Sequence, residues 1–217
     1  MRYLVLYLMV FNCFLCKAQQ NFRCGDYHTA VEAFKKAKSS NLNKYATRLK
    51  EQGYYDKSTG IRYLFRIEHN DVDSVVLCDY AQRWFAKRTN KQIEDVVRSY
   101  KEKGAFTSEE HLSIPEATVF GDKTTAGVSA EIAVIVGIKN GFLDIGAICP
   151  CYTTTFHNKT LRDLLKDQEY EHYTNRIMDV FPFKSANLNR MYATAYVYAS
   201  GKCLDIIGEF LDYLNQQ

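Results

Sequence analysis

The dipeptide Asn140-Gly141, which separates two runs rich in β-branched and apolar residues, constrains the fold more than any other feature. Because both residues tolerate positive φ, it favours a type I′ turn and predicts a hairpin with strands near 130–139 and 142–149. A loop of two residues also fixes the register of the pairing. The predicted opposed pairs are Lys139–Phe142, Ile138–Leu143, Val136–Ile145, Val134–Ala147 and Ile132–Cys149.

The alternation of side chains gives this hairpin two different faces. One face is wholly apolar, contains Cys149, and is predicted to line the core. The other is also too apolar for free solvent, and its two glycines allow the close approach of a helix or a ligand, of which we expect a helix. The residues of this second face are Ala133, Ile135, Gly137, Asp144, Gly146 and Ile148.

Periodicity along the rest of the chain predicts further elements. Alternation indicates strands near 61–68 and 191–199, while the stretch Gly104–Gly127 has no clear period and is expected to be an irregular connection. Helical spacing predicts helices near 30–37, 42–49, 73–84, 93–100, 161–178 and 204–214. Because helices and strands follow one another without segregation, we predict a single α+β domain over residues 19–217, with a mixed or antiparallel sheet.

The N-terminal segment is typical of an export signal. A mostly apolar stretch over residues 4–16 follows Arg2, and it is shorter than the roughly 20 residues that a membrane-spanning helix requires. We therefore predict a signal peptide over residues 1–18 and a secreted or periplasmic protein. An uncleaved anchor and a lipoprotein signal, with the lipid on Cys13 or Cys16, are the alternatives.

Charge excludes some classes of partner. Removal of residues 1–18 lowers the formal net charge from +3 to +1, and the remaining charges are scattered evenly. This balance gives no basic face for a nucleic acid. A protein or glycan ligand is therefore expected, with no cofactor and no membrane span after signal removal.

Five cysteines follow the predicted signal: Cys24, Cys78, Cys149, Cys151 and Cys203. In an oxidising compartment, two disulfides and one free thiol are expected, without a defined connectivity. Alternatively, Cys149 and Cys151 form a redox pair, or they ligate a metal together with His157. No second cysteine pair completes such a site, so no metal is predicted. Asn158 begins an Asn-Lys-Thr glycosylation triplet.

Cys78 is the candidate nucleophile. The order Cys78, His111, Asp122 resembles that of transglutaminase-like cysteine hydrolases, and this resemblance implies a catalytic cysteine near a helix start with His111 as its base. His157 is an alternative base. The histidines do not show the spacing of zinc peptidases, and the sequence contains neither a phosphate-binding glycine loop nor a Gly-x-Ser-x-Gly elbow.

Tyrosines provide the leading hypothesis, which does not involve catalysis. The predicted strand at 191–199 would place Tyr192, Tyr196 and Tyr198 on one face, and tyrosine rings are common in binding surfaces. We therefore predict an exported binding protein of unknown partner. A cysteine-dependent hydrolase or transferase is the alternative, and a thiol–disulfide protein using Cys149 and Cys151 is a weaker one.

Overall fold

The computed structural model describes residues 22–56, 59–70, 72–120, 124–158, 170–176 and 186–217. The predicted signal peptide lies outside these ranges, as do Cys13, Cys16 and Asp122. The described helices are α1 (Gly25–Ala37), α2 (Leu42–Glu51), α3 (Ser74–Thr89), α4 (Ile93–Lys103) and α5 (Ala186–Leu214). The described strands are β1 (Tyr55–Asp56), β2 (Gly60–Ile67), β3 (Phe106–Phe120), β4 (Thr124–Lys139), β5 (Phe142–Cys149), β6 (Cys151–Asn158) and β7 (Tyr170–Arg176).

The strands form one sheet in which every described pairing is antiparallel, so the predicted α+β fold is confirmed. β4 lies at its centre and pairs with β3 along one side and with β5 and β6 along the other. β2 continues the sheet beyond β5, and β7 continues it beyond β6. β3 is therefore one border of the sheet, and β1–β2 and β7 form the other.

The predicted hairpin is confirmed. Asn140 and Gly141 have φ values of 52° and 76°, and the first four predicted pairs are present. The ladder ends at the pair Ala133–Ile148, one pair short of the predicted Ile132–Cys149.

A bulge at Pro150 explains why the ladder ends there. Ala133 pairs with Ile148, whereas Ala130 pairs with Tyr152, so three steps along β4 match four steps along β5 and β6. β5 and β6 are thus one long strand with an extra residue, and proline is tolerated there because a bulge leaves the residue out of the ladder.

The two faces of the sheet have different surroundings. The inner face, which includes Ile61, Tyr63, Phe65, Ile132, Val134, Val136, Leu143, Ile145, Ala147 and Cys149, is fully buried. The helix layer packs here: Tyr27 of α1 contacts Phe65, and Phe85 of α3 stacks on Phe106 at 5.8 Å. α4 and α5 also pack on this face through Tyr100 and Tyr192, while α2 packs against α5.

The helix predicted on the second face of the hairpin is wrong for the described part of the chain. All of the described helices lie on the inner side, so none of them covers the opposite outer face. The outer face includes Arg62, Leu64, Arg66, Thr107, Glu109, His111, Ser113, Ser129, Glu131, Ala133, Ile135, Gly137, Lys139, Phe142, Asp144, Gly146 and Ile148. Its apolar side chains, which suggested a buried layer, are mostly half-buried or exposed.

The predicted strand at 191–199 is also wrong, because these residues lie within α5. Alanines at alternating positions suggested a strand, but alanine is the strongest helix former. Ser200 and Gly201, which lie between the predicted strand and the helix predicted near 204–214, are helical as well. An added Cβ at Gly201 would lie 3.3 Å from the Phe34 ring. The glycine thus allows α1 to approach α5 closely. In the described ranges no helix is both long and apolar enough to cross a bilayer.

Two other segments were assigned incorrectly. The stretch Gly104–Gly127 contains β3 and the start of β4, and residues 170–176 form β7 rather than part of a helix. β3 is polar and contains Pro115, but a border strand tolerates both features because one side of its backbone needs no partner. The remaining parts of the predicted helix, 161–169 and 177–178, lie outside the described residues.

Candidate functional site

A groove with a volume of about 580 Å³ lies between α3 and α5 and is called the α3–α5 groove below. Its volume is within the range of about 300–1,000 Å³ that is usual for ligand sites. Its lining residues come from α3, β3, the C-terminal half of α5 and the residues just after α5: Trp84, Lys87, Arg88, Glu110, Glu209, Asp212, Tyr213 and Gln216.

Trp84 joins the two walls of the groove. It is 5% exposed, and its ring lies 4.8 Å from that of Phe210 on α5. One turn later on α3, the Arg88 guanidinium carbon lies 5.1 Å from the centre of the Trp84 ring. The i, i+4 spacing therefore places the Arg88 guanidinium over the Trp84 ring at the bottom of the groove.

Arg88 binds two carboxylates from different elements. It donates from Nε and Nη2 to the two oxygens of Glu110 on β3, and the Nη2–Oε2 distance is 2.9 Å. It also donates from Nη1 to Glu209 on α5. Burial alone would lower the pKa of Arg88, but the bonds to Glu110 and Glu209 outweigh this effect and raise it. The guanidinium thus connects α3, β3 and α5 as a permanent cation.

The rest of the groove has unbalanced charge. Its lining holds two cations, Lys87 and Arg88, and three carboxylates, from Glu110, Glu209 and Asp212. Arg88 neutralises Glu110, whereas the Glu209 side chain is 50% exposed and its nearest lysine nitrogen, on Lys202, is 3.9 Å away. Asp212 is exposed and has no ion-pair partner among the described residues. The α5 wall therefore presents accessible negative charge.

Tyr213 adds an aromatic surface to the same wall. Its side chain is half-buried, and burial is the main cause of its raised pKa, so the hydroxyl remains neutral. The ring can contact a cation, and the hydroxyl can donate a hydrogen bond.

Sequence reasoning did not identify this groove. Its charged residues are distant in sequence and meet only through tertiary packing, and basic residues at the end of a helix such as α3 are common. The best available signal was the pairing of the only tryptophan, Trp84, with an arginine four residues later.

The structure does not bring Cys78 and His111 together. Cys78 lies in the second turn of α3, with its Sγ 4.0 Å from the Tyr100 hydroxyl, and no described histidine is within hydrogen-bonding distance of it. His111 instead pairs with Glu131 across the outer face, at 3.1 Å. His157 and Asn158 lie at the end of β6, but their side chains are outside the described residues. The proposed catalytic role of Cys78 therefore remains a prediction.

The expected disulfides are not present. Cys24, Cys78, Cys149, Cys151 and Cys203 are all free thiols. A core of this size does not depend on disulfides, and buried cysteines pack as small apolar side chains. In the described ranges, no group of three or more histidine, cysteine or acidic residues is placed to hold a metal ion.

Cys149 and Cys151 have different environments. Cys149 is fully buried, and burial raises the pKa of its thiol to about 12, whereas Cys151 is half-buried. Burial also raises the pKa of Cys203 well above its usual value. These thiols remain protonated at neutral pH, which slows the exchange chemistry that a redox pair needs.

The tyrosines of α5 do not share one surface. Tyr196 is buried and contacts Tyr55. Tyr192 is half-buried and stacks on Tyr152, with ring centres 6.5 Å apart. Tyr198 is 41% exposed. A helix turns successive residues by 100°, so the three rings do not form the surface that a strand would have given.

The α3–α5 groove therefore combines a cavity, accessible carboxylates on its α5 wall, and an Arg88 side chain that Glu110 and Glu209 hold in place at the bottom. Its residues were not among the sequence candidates. The candidates whose side chains are described lie in the core, on the outer face, on α3 and on α5. No protein family, curated protein or solved structure matches this chain.

Proposed function

We propose that this protein is an exported binding protein and that the α3–α5 groove takes a cationic group of its ligand. The proposal of export depends on the apolar stretch at residues 4–16. The proposal of binding is supported mainly by one observation: Arg88 is bound to both Glu110 and Glu209 at the bottom of the groove, while Asp212 and the exposed part of Glu209 remain accessible above it.

The charge of the groove favours one kind of ligand. An anionic ligand would meet the carboxylates of Asp212 and Glu209, and the charge of Arg88 is already offset by Glu110 and Glu209. A lysine or arginine side chain of a protein partner would instead contact both carboxylates and the Tyr213 ring. A basic peptide segment therefore fits better than a neutral glycan.

Calorimetric titration with a tetra-arginine peptide at low ionic strength tests this assignment, with a tetra-citrulline peptide as the uncharged control. We expect the arginine peptide to bind and the citrulline peptide not to bind. The double variant Glu209→Gln/Asp212→Asn should weaken binding at least about tenfold, because two charge-assisted contacts are lost.

Two further variants separate the groove from the overall charge of the protein. Glu94→Gln/Glu102→Gln removes two acidic residues from the exposed surface of α4 and should change affinity by less than about twofold. Lys87→Ala removes the competing cation of the groove and should strengthen binding about two- to threefold. Equal weakening by both acidic double variants would refute the groove as the site.

A further inference from the structure

The centre of the outer face is unusually apolar for the open side of a sheet. An antiparallel sheet with one solvated face normally carries polar side chains there. In this protein the two central strands carry Ala133, Ile135 and Gly137 from β4 and Gly146 and Ile148 from β5. Leu64 and Phe142 on the same face are 51% and 49% exposed. The described helices lie on the other side, so these apolar residues face outward.

One cation and one carboxylate of this face lie at opposite borders of the sheet. Arg62 lies on β2 and Glu109 on β3, at opposite ends of one transverse row: Arg62 pairs with Ile148, Ile148 with Ala133, and Ala133 with Glu109. Along this row, a cation at one end and a carboxylate at the other therefore enclose two apolar residues. Since neighbouring strands are about 4.8 Å apart, the two charged residues are about 14 Å apart and cannot pair within one chain.

Arg62 and Glu109 have no ion-pair partner in the part of the chain that the structure describes. Elsewhere on the described face, Arg66 binds Asp144 at 2.9 Å and covers the Phe142 ring at 4.2 Å, and His111 lies 3.1 Å from Glu131. Lys139, at the turn end of β4, has no ion-pair partner in the described ranges either. Along the transverse row, Arg62 and Glu109 therefore flank the apolar centre without a partner in the described chain.

We propose that the outer face binds a second copy of this chain, related by a two-fold axis parallel to the strands. Rotation about this axis turns the second sheet to face the first and exchanges the β2 border with the β3 border. Arg62 of each copy then lies opposite Glu109 of the other. A two-fold interface uses the same patch twice, so two such pairs form at once.

The charges select this axis over the alternative. A two-fold axis in the plane of the sheet but perpendicular to the strands would bring Arg62 close to its own copy and Glu109 close to its own copy. Like charges at an interface are unfavourable, so this arrangement is disfavoured. With the selected axis, Ile148 lies over Ala133, and Ile135 lies over Gly146.

The small residues of the face permit the contact. An added Cβ at Gly137 would meet no atom within 4 Å, and the Leu64 side chain already lies across Gly146. Two sheets that pack face to face lie about 10 Å apart, and side chains of this size fill that space. The α3–α5 groove is on the helix side of the sheet, so the dimer leaves it accessible and the inference is independent of the proposed function.

Sedimentation velocity over a range of concentrations measures the dissociation constant of the dimer, and variants that reverse the charges of Arg62 and Glu109 test the proposed contacts. The purified wild-type protein is expected to dimerise. Arg62→Glu and Glu109→Arg should each raise the dissociation constant at least about tenfold, because each creates two like-charge contacts. The double variant Arg62→Glu/Glu109→Arg restores opposite charges and should dissociate within about threefold of wild type.

Arg98→Glu on α4 is the matched control, because it makes the same charge change on the helix layer. It should leave the dissociation constant unchanged, and the circular dichroism of every variant should match wild type. A wild-type protein that stays monomeric up to high concentration would overturn the inference, including the case in which another segment of the same chain covers the face. A double variant as monomeric as the single variants would overturn it as well.

Discussion

The inner and outer faces of this sheet come from the same strands and contain several of the same residue types, yet the helices that the structure describes cover only the inner face. On β5, Ile145 is fully buried beneath the helix layer, while Ile148, three residues later, is half-buried on the outer face. Alternation places a side chain on one face or the other, but the neighbours beyond the sheet decide how much water it loses. An apolar pattern therefore does not identify what lies against it.

Replacing these two isoleucines gives the largest expected effect. Ile145→Ala should lower the free energy of unfolding by about 3–4 kcal/mol, because it creates a cavity in the core, and Ile148→Ala by about 1 kcal/mol. Urea unfolding measures both. If Ile148→Ala costs as much as Ile145→Ala at concentrations where the protein is monomeric, the outer face is covered within the chain and the comparison fails.

At alkaline pH, the buried thiol of Cys149 should lower the free energy of unfolding more than the half-buried thiol of Cys151 does. Burial raises the pKa of Cys149 from 9.0 to about 12, so the unfolded chain loses this proton first as the pH rises above 9. The unfolded state then binds fewer protons, and stability falls by about 1.4 kcal/mol per pH unit for this thiol. Below pH 9 this thiol is protonated in both states and does not change the free energy of unfolding with pH.

The measurement for this prediction is the slope of unfolding free energy against pH between about pH 9 and about pH 11. Cys149→Ala should make the slope shallower. Cys151→Ala, which changes a half-buried thiol beyond the bulge, should alter it much less. Equal slopes in wild type and Cys149→Ala would show that water reaches the inner face at this position.

The helix layer itself can be loosened at one contact. An added Cβ at Gly208 of α5 would lie 2.4 Å from the Tyr27 hydroxyl oxygen of α1. We expect Gly208→Ala to cost about 1–2 kcal/mol, because the clash outweighs the better helix propensity of alanine. In the double variant Tyr27→Phe/Gly208→Ala, most of this loss should be recovered, as thermal unfolding would show. Additive effects would mean that the two residues do not contact each other.

The smallest effect is expected on the outer face. The Arg66 and Asp144 side chains are 56% and 37% exposed, so their ion pair contributes little. Arg66→Ala should leave the midpoint of urea unfolding unchanged within the scatter of the measurement. A clear loss at low protein concentration would indicate that this part of the face is less open than the structure shows.

Much of the fold was predictable because local patterns and tertiary structure agree there. The Asn140-Gly141 turn, the alternation in β2 and the helical stripes of α1 to α4 all reflect contacts that each element makes along a single face. The errors occurred where one pattern allows two structures. Alternating alanines fit a strand, but in α5 they lie in a helix that is buried on several sides.

The groove could not be predicted in the same way. Arg88, Glu110 and Glu209 are distant in sequence, and each has an ordinary local context, so only the packing of α3 and α5 around β3 shows that they meet. Cys78 was selected for its position near a helix start, but a catalytic pair also requires a histidine in reach, and that depends on tertiary structure.

The bulge at Pro150 changes the phase of the strand that contains it. Before it, odd-numbered residues such as Leu143 and Cys149 point to the helices; after it, the even-numbered Tyr152 and Thr154 do. A pattern with a period of two that continues from β5 therefore changes phase at this point, and no strand was predicted at β6. A bulge also bends its strand and increases the local twist. The half of the sheet bordered by β2 and the half bordered by β7 can therefore differ in tilt while sharing one uninterrupted neighbour, β4.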